Sequence, residues 1–326
     1  MNARPQPSIL KYASRVGILY RALAIITFAA SLAACDGQPQ AAIELSSETI
    51  IADGSSTVFP LTKEAARRYT QKHDAADIRV SFSGTTAGFK MFCSGKSDIN
   101  NASRAINAEE IAACKSKQIT YLELPIAMDA IALVVNPKNS WAKDISVAEL
   151  KTLWRPAAES NIKTWKDLRP NWPDQNIALF GRGKNSGTYD YFTQEIVGAT
   201  RSSRSDYTAS EDEEFLAKGI AKDVNAIGFF GIGAYHRHWD ELKLLALKTS
   251  NGSVVYPSLD TVKNSSYTPL TRPLYVYVNT KALTEKKDLG PFLKDYVERL
   301  ANWIHFTGYM PLENSQYQQN LKLLSK

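Results

Sequence analysis

The sequence predicts an α/β protein of two lobes, in which mixed sheets are flanked by helices and two strands form a hinge. Three observations carry this prediction. Short apolar strands alternate with helices along most of the chain. Two consecutive extended runs at 119–136 indicate a crossing from one domain to the other, and a return crossing is predicted near 267–273. The 326 residues, 44% of them apolar, are enough to bury two cores.

The first 35 residues are predicted to be a lipoprotein signal peptide. Four basic residues and no acidic one precede an apolar run at 22–34, which is too short to cross a bilayer comfortably but typical of a signal-peptide core. The run ends in a sequence that resembles a lipobox, in which Cys35 would be acylated. Asp36 resembles the signal that keeps Gram-negative lipoproteins on the inner membrane, so a periplasmic location is predicted. An uncleaved signal anchor is the alternative.

The charge balance does not point to nucleic-acid binding. The whole chain has 39 basic and 33 acidic residues, but four of the bases belong to the leader, which leaves 35 bases against 33 acids. A nucleic-acid partner would require a concentrated basic face. No nucleic-acid partner is therefore predicted.

Two cysteines remain once Cys35 is assigned to a lipid anchor. Cys93 and Cys114 lie 21 positions apart in a chain predicted to be exported, which predicts one disulfide bond. The loop that it closes would stabilise the fold by roughly 3 kcal/mol in the chain-entropy model. Two buried thiols are the alternative, and two thiols without nearby histidines do not complete a metal site.

After a polar tether at 36–47, the pattern of strand, turn and helix occurs three times. The predicted strand–helix pairs are 49–52 with 61–69, 78–82 with a short helix that opens at Phe89, and 97–104 with 108–117. Asn107 is the predicted N-cap of the third helix.

The second half continues the alternation. The predicted elements are a helix at 146–153, a strand at 177–180, a helix from Tyr191, a helix after 210–213 that ends near 222, strands at 226–231 and 242–247, and helices at 291–306 and 315–324. Capping boxes are predicted for Ser146 with Glu149 and for Ser210 with Glu213. From the two crossings, we predict that lobe 1 comprises 48–128 and 272–326, and that lobe 2 comprises 129–271.

Three turns rich in glycine, serine and threonine carry the chemistry. They lie at 55–57, 84–86 and 186–188, each between a strand and a helix. Any one of them is an ordinary helix cap. Three that converge on one cleft could surround a tetrahedral anion with hydroxyls and helix N-termini, to which Arg182 adds a planar charged fork.

Six motifs make this interpretation specific. They are DGSSTVFP at 53–60, the turn around Gly84, DINNASR at 98–104, NSGTYDYF at 185–192, YTASED at 207–212 and AIGFFG at 226–231. In this order they resemble the phosphate-binding proteins of bacterial ABC-type uptake systems, over nearly the whole exported part of the chain. The resemblance implies a two-lobed periplasmic-binding-protein fold of the class II type that closes over phosphate and delivers it to a membrane permease. The implied phosphate ligands are Ser56, Thr57, Val58 through its backbone N–H, Thr85, Arg104, Arg182, Ser186, Gly187 and Thr188.

Arg104 departs from the family pattern. Members that match phosphate most strictly carry an aspartate there, which accepts a hydrogen bond from protonated phosphate and repels sulfate. With Arg104 the anion would gain a second guanidinium group as a paired N–H donor and lose the carboxylate that accepts its hydrogen bond. The alternative is that Arg104 pairs with Asp98, Glu211 or Asp212. Selectivity among phosphate, sulfate and arsenate is therefore left open.

The sequence leaves two other functions as alternatives to phosphate transport. An enzyme, such as a phosphatase that uses the same anion site, would need a base beside a nucleophile. Ser140 and Lys143 have the spacing of a Ser-x-x-Lys nucleophile, but its partner motifs are absent. His236 and His238 could bind a metal but are more typical of a surface pair. An oxyanion-sensing lipoprotein could use the same fold. The sequence predicts binding without catalysis, and neither a cofactor nor a metal.

Overall fold

A nine-stranded mixed sheet dominates the part of the chain that the computed structural model describes, residues 48–325. The predicted signal peptide at 1–35, with Cys35, and the predicted tether at 36–47 lie outside the described residues. The strands are β1 (Ile50–Gly54), β2 (Ile78–Val80), β3 (Ile99–Ala102), β4 (Tyr121–Val135), β5 (Asp144–Ser146), β6 (Ala178–Arg182), β7 (Thr208–Ser210), β8 (Ala226–Gly231), β9 (Lys243–Leu244), β10 (Ala246–Lys248), β11 (Val254–Val255) and β12 (Thr271–Asn279). The large sheet has the order β2-β1-β3-β12-β4-β8-β6-β7, with β9 also paired to β4, and β11-β10-β5 form a small second sheet.

Helices cover the sheets. They are α1 (Phe59–Thr70), α2 (Thr85–Cys93), α3 (Ala108–Ser116), α4 (Val147–Trp154), α5 (Ala158–Asn161), α6 (Trp165–Leu168), α7 (Gly187–Phe192), α8 (Glu213–Lys222), α9 (Ile232–Arg237), α10 (Leu259–Lys263), α11 (Thr280–Glu285), α12 (Leu289–Trp303) and α13 (Asn314–Leu323). A π-helical turn, Thr193–Val197, follows α7, and a 3₁₀ turn, Ile304–Thr307, follows α12. Within residues 48–325, none of these helices has the length and apolar character needed to cross a membrane.

Strand β4 connects the two halves of the large sheet. Its first part, as far as Ala130, pairs with β12, and from Ile131 onward it pairs with β8. The chain therefore passes between the halves along β4 and returns along β12. The residue limits of lobe 1 (48–128 and 272–326) and lobe 2 (129–271) stay a prediction.

Parallel strands in both halves bring the predicted site loops together. Strands β2, β1 and β3 are parallel in lobe 1, and β7, β6 and β8 are parallel in lobe 2. The loops that follow β1, β3, β6 and β7 all leave the carboxyl ends of such strands. In open α/β sheets this edge is where ligands bind.

Some helix starts differ from the prediction. The N-cap predicted for Asn107 and the capping box predicted for Ser146 are confirmed. Helix α2 begins at Thr85 and not at Phe89, because Gly84, with φ of +95°, already turns the chain. Helix α7 likewise begins earlier than predicted, at Gly187.

The predicted capping box at 210–213 is wrong. The N-cap of α8 is Asp212, whose carboxylate accepts hydrogen bonds from Glu214 N at 2.9 Å and Phe215 N at 3.4 Å. Ser210 lies two residues earlier and accepts from Asp212 N at 3.0 Å. The correction matters because it makes Glu213 the first residue of α8.

The predicted disulfide bond is confirmed. Cys93 at the end of α2 is bonded to Cys114 in α3. Both cysteines pack in a small core with Phe89, Phe92 and Tyr277. The bond therefore ties together the two helices that follow the second and third strands of lobe 1.

Candidate functional site

Arg182 ends strand β6 and lies at the contact between the lobes. Its side chain is 1% exposed. Its Nε donates to Ser186 Oγ at 3.1 Å, and its Nη2 donates across the cleft to Ser56 Oγ. Its Nη1 lies 3.1 Å from Oε1 of Glu213 in an ion pair. One guanidinium group thus holds hydroxyls from both lobes.

Further hydroxyls surround this group. Thr85 Oγ1 accepts a hydrogen bond from Ser103 N at 3.1 Å. Thr188 Oγ1 accepts from Arg272 Nη2 at 2.7 Å and lies 3.3 Å from Thr57 Oγ1. The contact of Thr188 with Thr57 joins the first turn to the turn at 186–188. The second turn reaches the same segment through Thr86 N, which donates to the carbonyl oxygen of Asn185 at 3.0 Å.

Two glycines allow this close approach. A Cβ at Gly187 would lie 2.7 Å from both Thr85 Oγ1 and Ser103 Oγ. A Cβ at Gly84 would lie 2.5 Å from the carbonyl oxygen of Asn185 in the opposite lobe. Larger residues at either position would hold the lobes apart.

The structure therefore brings most of the predicted ligands together. The residues of the set that are buried around the lobe contact are Ser56, Thr57, Val58, Thr85, Arg182, Ser186, Gly187 and Thr188. Val58 is the N-cap residue of α1, next to Thr57. Ser103, which contacts Thr85, was not singled out from the sequence.

Arg104 is placed differently from the prediction. Its Nε donates to Asp190 at 2.8 Å, and its two terminal nitrogens donate to Glu110 at 2.8 and 2.7 Å. Two more hydrogen bonds go to the carbonyl oxygen of Ala105 and to Thr86 Oγ1, both at 3.0 Å. A guanidinium has five N–H donors, and these five bonds use them all. The predicted second anion fork is therefore not formed in this structure.

The predicted alternative partners of Arg104 are also wrong. Asp98 pairs with Lys286 at 2.6 Å, Glu211 accepts from Asn185 N, and Asp212 caps α8. Burial lowers the pKa of Arg104, but Glu110 and Asp190 more than offset this and raise it overall. Asp190 belongs to lobe 2, so Arg104 contributes to the contact between the lobes.

A buried ion pair at the crossing strands was missed from the sequence. Asp129 in β4 and Arg272 in β12 are opposite each other in the sheet and 2.7 Å apart, with both side chains 0% exposed. Burial raises the pKa of Asp129 to about 6, although Arg272 lowers it. A charge within the apolar run at 126–135 was the signal that could have identified Asp129.

The hydrogen bonds fix the direction in which most of the hydroxyls can donate. Ser56, Thr85, Ser186 and Thr188 each accept from an N–H group. A serine or threonine hydroxyl has one hydrogen, and these four keep theirs for another acceptor. Four hydroxyl donors beside a buried guanidinium are the groups that suit an oxyanion.

The histidines singled out in the sequence do not lie in a cluster of metal-ligand side chains in the described part of the chain. Between residues 48 and 325, no group of three or more His, Cys, Asp or Glu side chains is placed to hold a metal ion. His238 lies between Glu214 and Glu241, at 2.5 and 3.0 Å. Burial lowers the pKa of His238, but the two carboxylates raise it overall.

The chain is similar to a known protein family, to several known proteins and to solved structures. A family model described as a PBP superfamily domain matches residues 39–304. Protein SphX from Synechocystis sp. is 43% identical over 271 residues, which cover 83% of this chain and 80% of that protein. Phosphate-binding protein PstS from Staphylococcus haemolyticus is 33% identical over 276 residues, or 84% of each chain. A solved structure, the crystal structure of a possible phosphate binding protein from Planctomyces limnophilus, matches this chain with a TM-score of 0.61 and 34% sequence identity. The match covers 85% of this chain and 99% of that chain. These matches confirm the predicted two-lobed fold.

Proposed function

Because this chain belongs to the PBP superfamily and, within it, to the family of the PstS phosphate-binding proteins, we propose that it captures inorganic phosphate between its two lobes and delivers it to the membrane permease of an ABC transporter. The anion would contact hydroxyls of both lobes only when they are closed. Binding would therefore shift the population toward the closed state. Phosphate would be retained without turnover, and no cofactor takes part.

The observation that carries this proposal is that four hydroxyl groups at the contact between the lobes each accept a hydrogen bond from an N–H group. Ser56 and Thr85 come from lobe 1, and Ser186 and Thr188 come from lobe 2. Each oxygen accepts from an N–H donor, so its hydrogen is left for an acceptor, and Arg182 supplies the positive charge. An anion would replace the hydroxyls that Thr85 and Thr188 contact in this structure, Ser103 Oγ at 3.1 Å and Thr57 Oγ1 at 3.3 Å. Neutral donors can bind a phosphate dianion without a surplus of positive charge.

Calorimetric titration of the full chain, freed of carried-over phosphate, tests the proposal. We expect saturable binding of one phosphate per chain. The absence of binding at any pH would refute the assignment. A parallel assay with a phosphomonoester distinguishes an enzyme, because a phosphatase would release phosphate and a binding protein would not.

An uptake experiment in cells distinguishes a transport function from a sensing function. If the chain feeds a permease, a strain that lacks it should take up labelled phosphate more slowly at low external concentration. An oxyanion-sensing lipoprotein, the alternative, would leave uptake unchanged and alter only the response to phosphate starvation.

We also propose that the chain is periplasmic and held at the inner membrane by a lipid on Cys35. The lipobox-like sequence supports this location, and the family is consistent with it. A labelled fatty acid should be incorporated into the wild-type chain and not into Cys35→Ala. Equal labelling of the two proteins would exclude Cys35 as the site of attachment.

Arg104 is proposed to act on closure of the lobes and not on the anion. Arg104→Gln should lower phosphate affinity by about tenfold, because its ion pair with Asp190 joins the lobes only when they are closed. Small-angle scattering of the free variant should show a larger radius of gyration than that of the wild type.

Arg169→Gln is the matched control for this experiment. Arg169 also pairs with two carboxylates, Glu149 at 2.5 Å and Asp144 at 2.8 Å, but all three residues belong to lobe 2. This change should lower stability and leave phosphate affinity unaltered. If Arg104→Gln weakens binding with no change in the radius of gyration, Arg104 contacts the anion directly, as first predicted.

A further inference from the structure

Thr57 and Glu213 form a hydrogen bond whose direction is opposite to that of the other hydroxyls. Thr57 Oγ1 lies 2.9 Å from Glu213 Oε1, and the two residues are 0% and 3% exposed. A carboxylate can only accept, so the single hydrogen of Thr57 is donated to Glu213. The Thr57 oxygen therefore presents lone pairs beside the anion site. Its other neighbour, Thr188 Oγ1, is at 3.3 Å and makes a longer contact that a ligand could replace.

The surroundings of Glu213 keep its carboxylate in this accepting role. Arg182 Nη1 lies 3.1 Å from Oε1, and Arg237 Nη2 lies within 3.7 Å of Oε2. The backbone N–H of Gly231 also donates to Oε1 at 3.4 Å. As the first residue of the ten-residue helix α8, Glu213 lies at the positive end of the helix dipole as well. All of these groups favour a carboxylate that receives hydrogen bonds.

We propose that the Thr57–Glu213 pair accepts a hydrogen bond from protonated phosphate and so selects phosphate over sulfate, an inference that rests on the proposed function. In mildly alkaline buffer both ligands are tetrahedral dianions, but phosphate retains one hydrogen and sulfate has none. Phosphate can donate this hydrogen to Thr57 Oγ1. Sulfate would place an oxygen lone pair against the lone pairs of Thr57, and a buried mismatch of this kind is strongly rejected.

Other groups near the site are less suited to this acceptor role. Arg104 has no acceptor atom and makes all its hydrogen bonds elsewhere. The Oε1 of Glu211 accepts from Asn185 N at 2.9 Å, whereas its Oε2 lies 3.6 Å from Arg182 and is buried without a hydrogen-bond partner. Glu211 is therefore the competing acceptor, and a fall in the anion selectivity of Glu211→Met would assign the role to it. Thr57 thus differs from the four hydroxyl donors through its bond to Glu213.

Glu213→Met tests the inference in the full chain, with phosphate and sulfate titrated separately in mildly alkaline buffer. Without an acceptor at position 213, the hydrogen of Thr57 can turn to the anion, so sulfate gains a donor and phosphate loses an acceptor. The ratio of the sulfate Kd to the phosphate Kd should fall by at least about tenfold. Glu211→Met is the matched control, because it removes a carboxylate beside Arg182 without freeing Thr57. It should change both affinities by the same factor.

A second pair of variants covers the case in which Glu213→Met does not fold. Thr57→Ser keeps the hydroxyl and should keep the wild-type ratio, whereas Thr57→Val removes the acceptor and should lower the ratio. An unchanged ratio in both Glu213→Met and Thr57→Val would overturn the inference, as would equal affinities of the wild type for the two anions. A wild type that binds no phosphate would instead overturn the proposed function.

Discussion

A chain that carries Arg182→Met should bind phosphate about a hundred- to several-thousand-fold more weakly than the wild type. The change removes the buried charge that contacts Ser56 in one lobe and Ser186 in the other. It also leaves the Glu213 carboxylate buried beside the anion without its nearest ion-pair partner. Breaking a buried pair in this way costs about 3–5 kcal/mol, which corresponds to that loss of affinity. Calorimetry with phosphate measures it.

Two further variants show whether phosphate binding requires the planar guanidinium group of Arg182 or only a positive charge. Arg182→Lys keeps the charge but concentrates it on one flexible ammonium, which cannot hold both serines and Glu213 in a fixed geometry. Its affinity should lie between those of the wild type and Arg182→Met. Arg237→Met removes a more distant charge, 3.7 Å from Glu213, and should have a small effect. An Arg182→Met protein that binds phosphate within tenfold of the wild type would contradict the central role of Arg182.

Local signals in the sequence predicted the parts of the fold that depend on local contacts. The caps at Asn107 and Ser146 could be predicted because a cap bonds to residues only two or three positions away in the chain. The same reasoning failed at α8, where Asp212 and Ser210 were both suitable caps. Asp212, the residue directly before α8, is the N-cap in the structure. The sequence pattern alone did not show which of the two residues would cap the helix.

The predicted ligands came from turns, and the missed residues came from pairing between distant elements. Asp129 and Arg272 are 143 positions apart and meet because β4 and β12 are in a particular register. Glu213 reaches Thr57, which is 156 positions away, only when the lobes are closed. Such contacts depend on strand register and on the closed arrangement, neither of which is specified by a local pattern.

Arg104 illustrates the same limit for a charged residue. Its departure from the family pattern was visible in the sequence, but its acceptors were not. Glu110 lies six positions away on α3, whereas Asp190 lies 86 positions away in the opposite lobe. The choice between an anion and a carboxylate partner depended on which carboxylates the fold brings within reach of residue 104.

Arg272→Met should destabilise the fold by about 3–5 kcal/mol in neutral buffer, because it leaves Asp129 fully buried without its partner. Burial already raises the pKa of Asp129 to about 6, and the pKa should rise further without Arg272. An acid whose pKa is higher in the folded state contributes stability at low pH that is lost as the pH rises through the folded value. The destabilisation should therefore be smallest below about pH 4 and largest above the folded pKa. Urea unfolding across this range measures it.

The double variant Arg272→Met with Asp129→Asn separates the role of the pair in stability from its role in the site. Removing the uncompensated carboxylate should restore most of the free energy of unfolding at neutral pH. Phosphate affinity should not recover to the same extent, because Thr188 Oγ1 has lost the N–H donor that directs its hydrogen toward the anion. A loss of stability that did not change with pH would mean that Arg272 acts through packing and not through the charge of Asp129. Full recovery of both properties would instead show that the Thr188 hydroxyl needs no partner to bind phosphate.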